Sequence, residues 1–259
     1  MLDFQQIKEQ YPINLQSFER SILREYLQYK ILQAIFESHH ASKLSFLGGT
    51  ALRIIHGNNR FSEDIDLDNF GLSWAEFEDV IQKVKRSMEL EGFEVEIRNV
   101  TKGAYRCYLK FPALLHEQGL SPFQEEKILI QVDTTTQGYS YHPEPKLIVK
   151  FDVFVEIRVT PINILLAQKI FTAVNRKRPK GRDFYDITFL AGITKPDMGF
   201  LCQKLSVETA EDLRKEVSAR ITAFDFKQLA EDVTPFLINQ ADIKRVEKFR
   251  AFWNQVDLE

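Results

Sequence analysis

The chain has 259 residues, of which 44% are hydrophobic and 27% charged, and 34 Lys and Arg against 37 Asp and Glu give a net charge of −3. This composition is typical of a globular protein, and the near-neutral charge argues against a chain that coats nucleic acid through bulk positive charge. Cys107 and Cys202 are too few for a disulfide framework and lack the spacing of a metal site. No secretory leader and no apolar stretch of membrane-spanning length is evident, so we expect a cytoplasmic protein without membrane contact.

The first 160 residues predict a mixed α/β half. Apolar side chains recur every three to four positions over 17–38 and 74–90, which indicates two amphipathic helices. Short apolar or alternating segments over 44–47 and 64–68 indicate strands, with a short helix over 50–56 between them. Enrichment in Val, Ile, Phe and Tyr predicts further strands over 93–100, 105–111, 127–134 and 146–159.

The remaining residues predict a helical half. Pro161 suits the first turn of a helix that ends near residue 175. Further helices are predicted over 183–191, 207–219, 225–238 and 241–254. We therefore expect an α/β (α+β) core with an N-terminal helix over 1–160 and a helical domain over 161–259.

A diglycine followed by threonine ends the strand at 44–47 and opens a helix. Gly48 and Gly49 leave room for a phosphate to approach backbone N–H groups, while the helix N-terminus and the Thr50 hydroxyl add positive potential and a donor. A Gly-Gly pair by itself usually forms only a turn. The segment lacks the Gly-Lys-Ser/Thr ending of a Walker loop and the Gly-x-Gly-x-x-Gly pattern of dinucleotide sites.

Two aspartates follow on the next predicted strand. Asp64 and Asp66 are two residues apart, so both side chains point to one face. Carboxylates held side by side repel each other unless a cation lies between them, and Mg²⁺ prefers oxygen ligands that it shares with substrate phosphates. A lone Asp-x-Asp is commonly a solvated strand edge. A phosphate cradle followed by a carboxylate pair, however, is what metal-assisted nucleotidyl transfer requires.

The sequence resembles the nucleotidyltransferase superfamily with a DNA polymerase β-type core at two segments, Gly-Gly-Thr-Ala-Leu at 48–52 and Arg-Phe-Ser-Glu-Asp-Ile-Asp-Leu at 60–67. More narrowly it is similar to the AbiEii/AbiGii toxin family, from about residue 44 to residue 190. The resemblance implies a mixed sheet with flanking helices. It also implies transfer of a nucleoside monophosphate (NMP) from an NTP to an acceptor hydroxyl, with Mg²⁺ or Mn²⁺ and release of pyrophosphate. The acceptor would be RNA, such as a tRNA 3′ end, and an antitoxin would neutralise the protein.

The superfamily resemblance also implies a third carboxylate on a later strand. Asp133 closes a strongly apolar predicted strand and is the preferred candidate; Asp152 is the alternative. Asp133 would complete one metal site and could help to deprotonate the attacking hydroxyl. Arg60 and Ser62 flank the carboxylate strand as candidate nucleotide contacts, although Arg60 could simply pair with Glu63.

A basic segment opens the helical half. Six bases and no acid fall within 169–182, namely Lys169, Arg176, Lys177, Arg178, Lys180 and Arg182. Such a run is often a solvated loop, but Lys169 lies among apolar residues, where a charge usually has a partner such as a triphosphate. By resemblance, Lys169 and Lys180 would contact the triphosphate, and Asp183 and Asp186 would hold those side chains or the helix start. Lys169 is therefore counted as catalytic, and Arg182 and Asp183 as nucleotide-binding.

The charge is thus segregated along the chain, because residues 61–80 carry seven acids and no Lys or Arg. If the acidic and basic blocks face each other across a cleft, metal would lie at one wall and triphosphate at the other. Two alternatives remain open: the same chemistry on an aminoglycoside or protein acceptor, and a non-catalytic module that binds a nucleotide or a partner. Retention of both Asp64 and Asp66 argues against the module.

Overall fold

The computed structural model describes residues 2–259. The chain divides into two compact units. The first contains the chain up to His56 together with Phe61–Val159, and the second contains Gly57–Arg60 and Thr160–Glu259. The prediction of a boundary near residue 160 did not include the short segment Gly57–Arg60, which belongs to the helical unit. Within residues 2–259, no helix combines the length and apolar character needed to span a bilayer.

The first unit is built on one mixed sheet of seven strands, in agreement with the predicted α/β class. Its strands are β1 (Leu44–Leu47), β2 (Ile65–Asn69), β3 (Glu96–Val100), β4 (Tyr105–Phe111), β5 (Ile128–Thr135), β6 (Glu144–Lys150) and β7 (Val153–Val159). Their order is β3-β4-β5-β2-β1-β7-β6. β2 runs parallel to β5 and β1 parallel to β7, whereas the other neighbouring pairs are antiparallel. The aspartate-bearing strand β2 therefore lies at the centre of the sheet.

Five α-helices complete the first unit, namely α1 (Phe4–Glu9), α2 (Glu19–Phe36), α3 (Gly48–His56), α4 (Trp74–Leu90) and the single turn α5 (Leu114–Glu117). α2 packs against β7 and α4. Strand alternation directs Phe46, Ile65 and Val132 into the buried core, and each is fully buried. The polar side chains of β2 and β5 point to the opposite face of the sheet.

The second unit is helical. Its elements are α6 (Ile162–Asn175), α7 (Gly181–Leu190), α8 (Met198–Leu205), α9 (Ala210–Ile221), α10 (Phe226–Val233), α11 (Lys244–Glu247) and α12 (Phe249–Gln255). Phe184 of α7 lies at its centre, with ring centroids 5.0 Å from Phe226 and 4.8 Å from Phe249. Trp253 is also fully buried and stacks on Phe249. Edge-to-face and stacked aromatic pairs of this kind hold α7, α10 and α12 together.

The predicted elements and the structure differ at several places. The strand predicted over 146–159 is the β6–β7 hairpin, because Phe151 adopts a left-handed conformation at φ 58° and reverses the chain. Bulky residues rarely adopt that conformation, so composition gave no turn signal there. Helix α8 was not predicted, and the helix predicted over 225–238 ends at Val233, just ahead of a 3₁₀ turn that contains Pro235.

Candidate active site

The diglycine places the start of α3 directly against Asp66, the first aspartate of β2. Gly48 has a positive φ of 80°, and a Cβ there would lie 2.8 Å from Cγ of Asp66 and closer still to its Oδ2. Only glycine allows this approach. The Thr50 hydroxyl donates to the backbone carbonyl of Asp64. Gly49 and Thr50 are both buried. The N-terminus of α3 and the Asp64–Asp66 segment are therefore fixed to each other.

Register places the predicted carboxylates side by side. Asp66 of β2 is paired with Asp133 of β5, and with Leu47 at the end of β1. Asp64 lies just before β2, and its Oδ1 accepts a bond from the backbone N–H of Gln131 at 3.4 Å. Neighbouring strands lie about 4.8 Å apart, so the three aspartates occupy one small area of the sheet face.

The alternative third carboxylate lies elsewhere. Asp152 occupies the β6–β7 turn, where Lys30 Nζ and Tyr26 Oη donate to its Oδ2 at 3.3 and 3.4 Å. β1 pairs with β7 at Val159, seven residues further along the chain from Asp152. Asp152 therefore lies at the opposite end of β7 from Asp66, and Asp133 is the acid that the structure brings to Asp66.

Arg106 of β4 holds Asp133, a contact that sequence reasoning missed. Arg106 Nε donates to Oδ1 of Asp133 at 2.6 Å and its Nη2 donates to Oδ2 at 2.9 Å, while Gln131 Nε2 donates to Oδ2 at 2.8 Å. The hydrogen bond to Asp133 raises the pKa of Arg106, so the guanidinium stays charged. Arg106 is identified by its cross-strand pairing with Asp133. No motif in the linear sequence encodes that pairing.

Asp68 is a second residue that the motif did not single out. It follows Asp66 by two positions, so it lies on the same face, and it is 2% exposed. Its Oδ1 accepts from the backbone N–H of Gln137 at 2.9 Å, and its Oδ2 accepts from Tyr141 Oη at 2.7 Å. Asp68 thus fixes the loop between β5 and β6 next to Asp64, Asp66 and Asp133, which we call the carboxylate row.

The chemistry of these donors fits a hard divalent cation. Asp64 and Asp66 supply only oxygen, and glycine at 48 leaves room for the Asp66 carboxylate to lie against the start of α3. Mg²⁺ is commonly held by one or two carboxylates together with substrate phosphates, so two acids suffice. Across the described residues 2–259, no three His, Cys, Asp or Glu side chains are grouped to hold a metal by themselves. This agrees with the engagement of Asp133 by Arg106.

In the second unit, Lys169 lies in a buried charge cluster. Its Nζ is 3.1 Å from Oδ1 of Asp183 and 2.9 Å from Oδ2 of Asp186. Arg60 Nε and Nη2 donate to the Asp186 carboxylate at 2.7 and 2.6 Å, and Asn58 Nδ2 donates to the same carboxylate at 2.8 Å. Asp183 and Asp186 therefore hold Lys169. Arg60 is only 2% exposed, so its guanidinium faces Asp186 and not solvent.

The charges in this cluster leave a positive excess. Burial alone would raise the pKa of Asp186, but Arg60 and Lys169 lower it to about 2. Burial would lower the pKa of Lys169, but the two carboxylates raise it, so Lys169 remains protonated. Arg176 adds a third cation 3.2 Å from Asp183 Oδ2, so that Arg60, Lys169 and Arg176 contact the two carboxylates of Asp183 and Asp186. An anionic ligand suits such a cluster.

The other predicted nucleotide contacts, Lys180, Arg182 and Ser62, each contact a different residue of the protein. Lys180 Nζ is 3.9 Å from Asp232, and the Arg182 guanidinium lies 4.7 Å from the ring centre of Phe236. The backbone carbonyl of Ser62 accepts from Gln28 Nε2 at 3.1 Å. The contacts of these residues do not identify a ligand, and their role in nucleotide binding stays a prediction.

Comparison with known proteins identifies the family and the fold. The sequence matches the family model described as nucleotidyl transferase AbiEii toxin, Type IV TA system, over residues 30–254, whereas no curated protein matches it. Among solved structures, JHP933 from Helicobacter pylori is 16% identical, with a TM-score of 0.56 over 92% of this chain and 93% of that chain. A second solved structure, from H. pylori and provisionally described as a nucleotidyltransferase, is 16% identical, with a TM-score of 0.57 over 92% of this chain and 96% of that chain. At this identity the two structures show the shared fold alone. Because the family model covers most of the chain, the protein belongs to the AbiEii nucleotidyltransferase toxins of type IV toxin–antitoxin systems.

Proposed function

We propose that the protein transfers an NMP from an NTP to a hydroxyl of RNA, at the 3′ end of tRNA, and that a cognate antitoxin counteracts it. The observation that carries this proposal is the alignment of Asp64, Asp66 and Asp133 beside the glycine-opened start of α3. Family membership supports the reaction type and implies both the NTP substrate and the antitoxin. We therefore also propose that the reaction takes place in the cytoplasm, where an NTP and tRNA would both be present.

In the first unit, the backbone N–H groups of Gly48 and Gly49 are assigned to the phosphates, because they open α3 where its dipole favours an anion. Asp64 and Asp66, together with Asp133, would hold Mg²⁺ or Mn²⁺, which neutralises phosphate charge and activates the acceptor when bound. The Thr50 hydroxyl is committed to the carbonyl of Asp64, so Thr50 positions the carboxylates as well as extending the cradle.

The reaction forms a bond between the acceptor oxygen and the α-phosphorus and breaks the bond from that phosphorus to the bridging oxygen of the β-phosphate. Pyrophosphate leaves with the electron pair of the broken bond. The acceptor proton passes to a carboxylate of the row, for which Asp133 is the candidate. Positioning and charge stabilisation supply most of the catalysis in phosphoryl chemistry of this kind.

In the second unit, Lys169 is assigned to the phosphates, with Lys180, Arg182, Asp183 and Arg60 in supporting positions. The positive excess of the Lys169 cluster supports this role. Arg60 acts through Asp186, since its own guanidinium is buried against that carboxylate. Lys169→Ala should therefore weaken NTP binding in calorimetry, and unchanged binding would remove Lys169 from the site.

The test of the reaction is transfer of label from α-³²P NTPs to total RNA, protein and small molecules in the presence of Mg²⁺. We expect a labelled tRNA band, and we expect Asp64→Ala combined with Asp66→Ala to reduce it at least a hundredfold. Glu94→Gln, which removes an exposed carboxylate outside the row, is the control and should retain activity. Label on an aminoglycoside or a protein would replace the acceptor assigned here. Label that survives the double substitution would refute the site.

A further inference from the structure

Arg106, Asp133 and Asp66 form one row across three adjacent strands. Arg106 of β4 is paired with Asp133 of β5, and Asp133 is paired with Asp66 of β2. All three side chains point to the same sheet face, because they are cross-strand partners. Across the strands, one cation is thus followed by two carboxylates. Asp64 lies two residues before Asp66 along the chain, on the same face.

The contact between Arg106 and Asp133 is more specific than a surface ion pair. Two parallel N–H donors meet the two carboxylate oxygens at 2.6 and 2.9 Å, a geometry that fixes the carboxylate plane. The Asp133 side chain is only 18% exposed, and Gln131 donates a third bond to it. Both of its oxygens are therefore already engaged as hydrogen-bond acceptors, Oδ1 by Arg106 and Oδ2 by Arg106 and Gln131.

Neighbouring carboxylates destabilise each other by charge repulsion when no metal is bound. Carboxylates on adjacent strands repel each other, which would either unfold this part of the sheet or raise their proton affinity. A guanidinium beside one of them removes one unit of that repulsion. Arg106 supplies this charge to Asp133, whereas Lys127 pairs with Glu96 at 2.7 Å.

We propose that Arg106 is a built-in counter-ion of the carboxylate row: it holds Asp133 when no metal is bound and competes with the divalent cation for that carboxylate. Arg106 is a positioning residue, since it acts through Asp133. This inference rests on the proposed function, because it assigns Asp64, Asp66 and Asp133 to the cation. Its consequence is that the free protein binds metal weakly, so that metal enters efficiently only together with the charge of an NTP.

The experiment measures Mn²⁺ affinity of the full chain without nucleotide, by calorimetry or by electron paramagnetic resonance. Arg106→Gln should bind Mn²⁺ about tenfold more tightly than the wild type, as expected when one positive charge is removed within about 10 Å of a divalent ion. Arg98→Gln is the matched control: Arg98 lies on the same face of β3, opposite Tyr108, and should change the affinity less than twofold. Arg106→Lys keeps the charge and should resemble the wild type.

A double-substitution cycle separates this role from a purely structural one. Asp133→Asn should abolish the gain that Arg106→Gln produces, because the carboxylate over which they compete is gone. A structural salt bridge would lower stability on substitution but would not raise metal affinity.

The results also separate this inference from the proposed function. If Asp66→Asn abolishes Mn²⁺ binding while Arg106→Gln leaves it unchanged or weaker, the counter-ion role is overturned and the metal site stands. If Asp64→Asn and Asp66→Asn leave Mn²⁺ binding intact, the metal site itself is overturned. Absence of measurable Mn²⁺ binding in both the wild type and Arg106→Gln would also overturn the counter-ion role, since tighter binding is its direct consequence.

Discussion

At the scale of single residues, position 48 imposes two requirements that only glycine meets. Its φ of 80° is the left-handed conformation, and a Cβ would overlap the Asp66 carboxylate. Gly48→Ala should therefore displace Asp66 and reduce transfer at least a hundredfold. The left-handed backbone alone should lower the free energy of unfolding by about 1–2 kcal/mol. Urea denaturation and the α-³²P transfer assay measure the two effects separately.

Gly57 provides the control for backbone strain without the clash. Its φ is 71°, and a Cβ there would meet nothing within 4 Å. Gly57→Ala should lose stability by about the same 1–2 kcal/mol but keep its activity. If both alanine variants lost activity equally, contact with Asp66 would not be the reason for glycine at position 48.

Asp186 makes stability depend on acid. Burial opposes its ionisation, but Arg60 and Lys169 together lower its pKa from 3.8 to about 2. Because the folded-state pKa lies below the unfolded-state value, ionised Asp186 stabilises the fold above pH 3.8, by about 2 kcal/mol. This contribution is lost as the pH falls from 3.8 to about 2.

Asp186→Asn tests that assignment. At pH 7 it should lower the free energy of unfolding by roughly 3–5 kcal/mol, because Arg60 and Lys169 lose the buried charge between them. The difference from the wild type should shrink when urea denaturation is repeated at pH values approaching 2. Glu94→Gln, an exposed substitution, should change neither value. A difference that stays constant with pH would mean that Asp186 is not the titrating group.

The linear sequence reveals some of these residues and conceals others. Asp64 and Asp66 follow from a spacing of two on a strand, and the diglycine from its effect on the backbone. Arg106 lies 27 residues before Asp133, and only the antiparallel β4–β5 register makes them neighbours. Cross-strand partners depend on loop lengths and register, which no short motif encodes.

At the scale of elements, periodicity predicted the central strands and the long helices well. α4 spans Trp74–Leu90 as predicted, because its apolar stripe and the Ser73–Glu76 capping box agree. The β6–β7 hairpin was missed because its turn residue, Phe151, is stabilised by tertiary contacts with the rings of Tyr26 and Tyr29 and carries no local turn signal. Tertiary packing overrides local propensity at such a position.

The loop between β5 and β6 gives a prediction at this scale. Asp68 accepts bonds from Gln137 N–H and Tyr141 Oη, so it fixes the loop to β2. Asp68→Ala should speed amide exchange of Gln137 at least tenfold, since a buried hydrogen bond to a charged group contributes roughly 1.5–3 kcal/mol. Hydrogen exchange read by mass spectrometry over residues 136–143 measures this.

Tyr141→Phe is the graded comparison, because it removes only the Oη bond and keeps the edge-to-face contact of the ring with Phe70. Its effect on Gln137 should be smaller than that of Asp68→Ala. Equal exchange in the wild type and Asp68→Ala would show that other contacts hold the loop.

At the scale of the whole molecule, the chain order does not follow the division into units. Gly57–Arg60 belongs to the helical unit although the residues on either side of it belong to the sheet unit. Composition changes near residue 160 and so indicates a boundary. A segment of four residues is too short for its composition to show that it belongs to the other unit. Their signal is tertiary: Arg60 pairs with Leu237 in an isolated bridge, and Ile238 N–H donates to the carbonyl of Asn59 at 3.4 Å.

A fragment comprising residues 160–259 should therefore fold poorly by itself. Without Arg60, the fully buried carboxylate of Asp186 keeps only Lys169 as a cationic partner, and breaking a buried pair costs about 3–5 kcal/mol. Domains of this size have a total stability of about 5–15 kcal/mol, so the loss is a large share. Urea denaturation of the fragment, monitored by circular dichroism, should show a broad transition whose midpoint lies at a lower urea concentration than that of the full chain. The same fragment with Asp186→Leu, which removes the uncompensated charge, should recover part of the cooperativity. A fragment that unfolds sharply at the midpoint of the full chain would show that Gly57–Arg60 is dispensable to the helical unit.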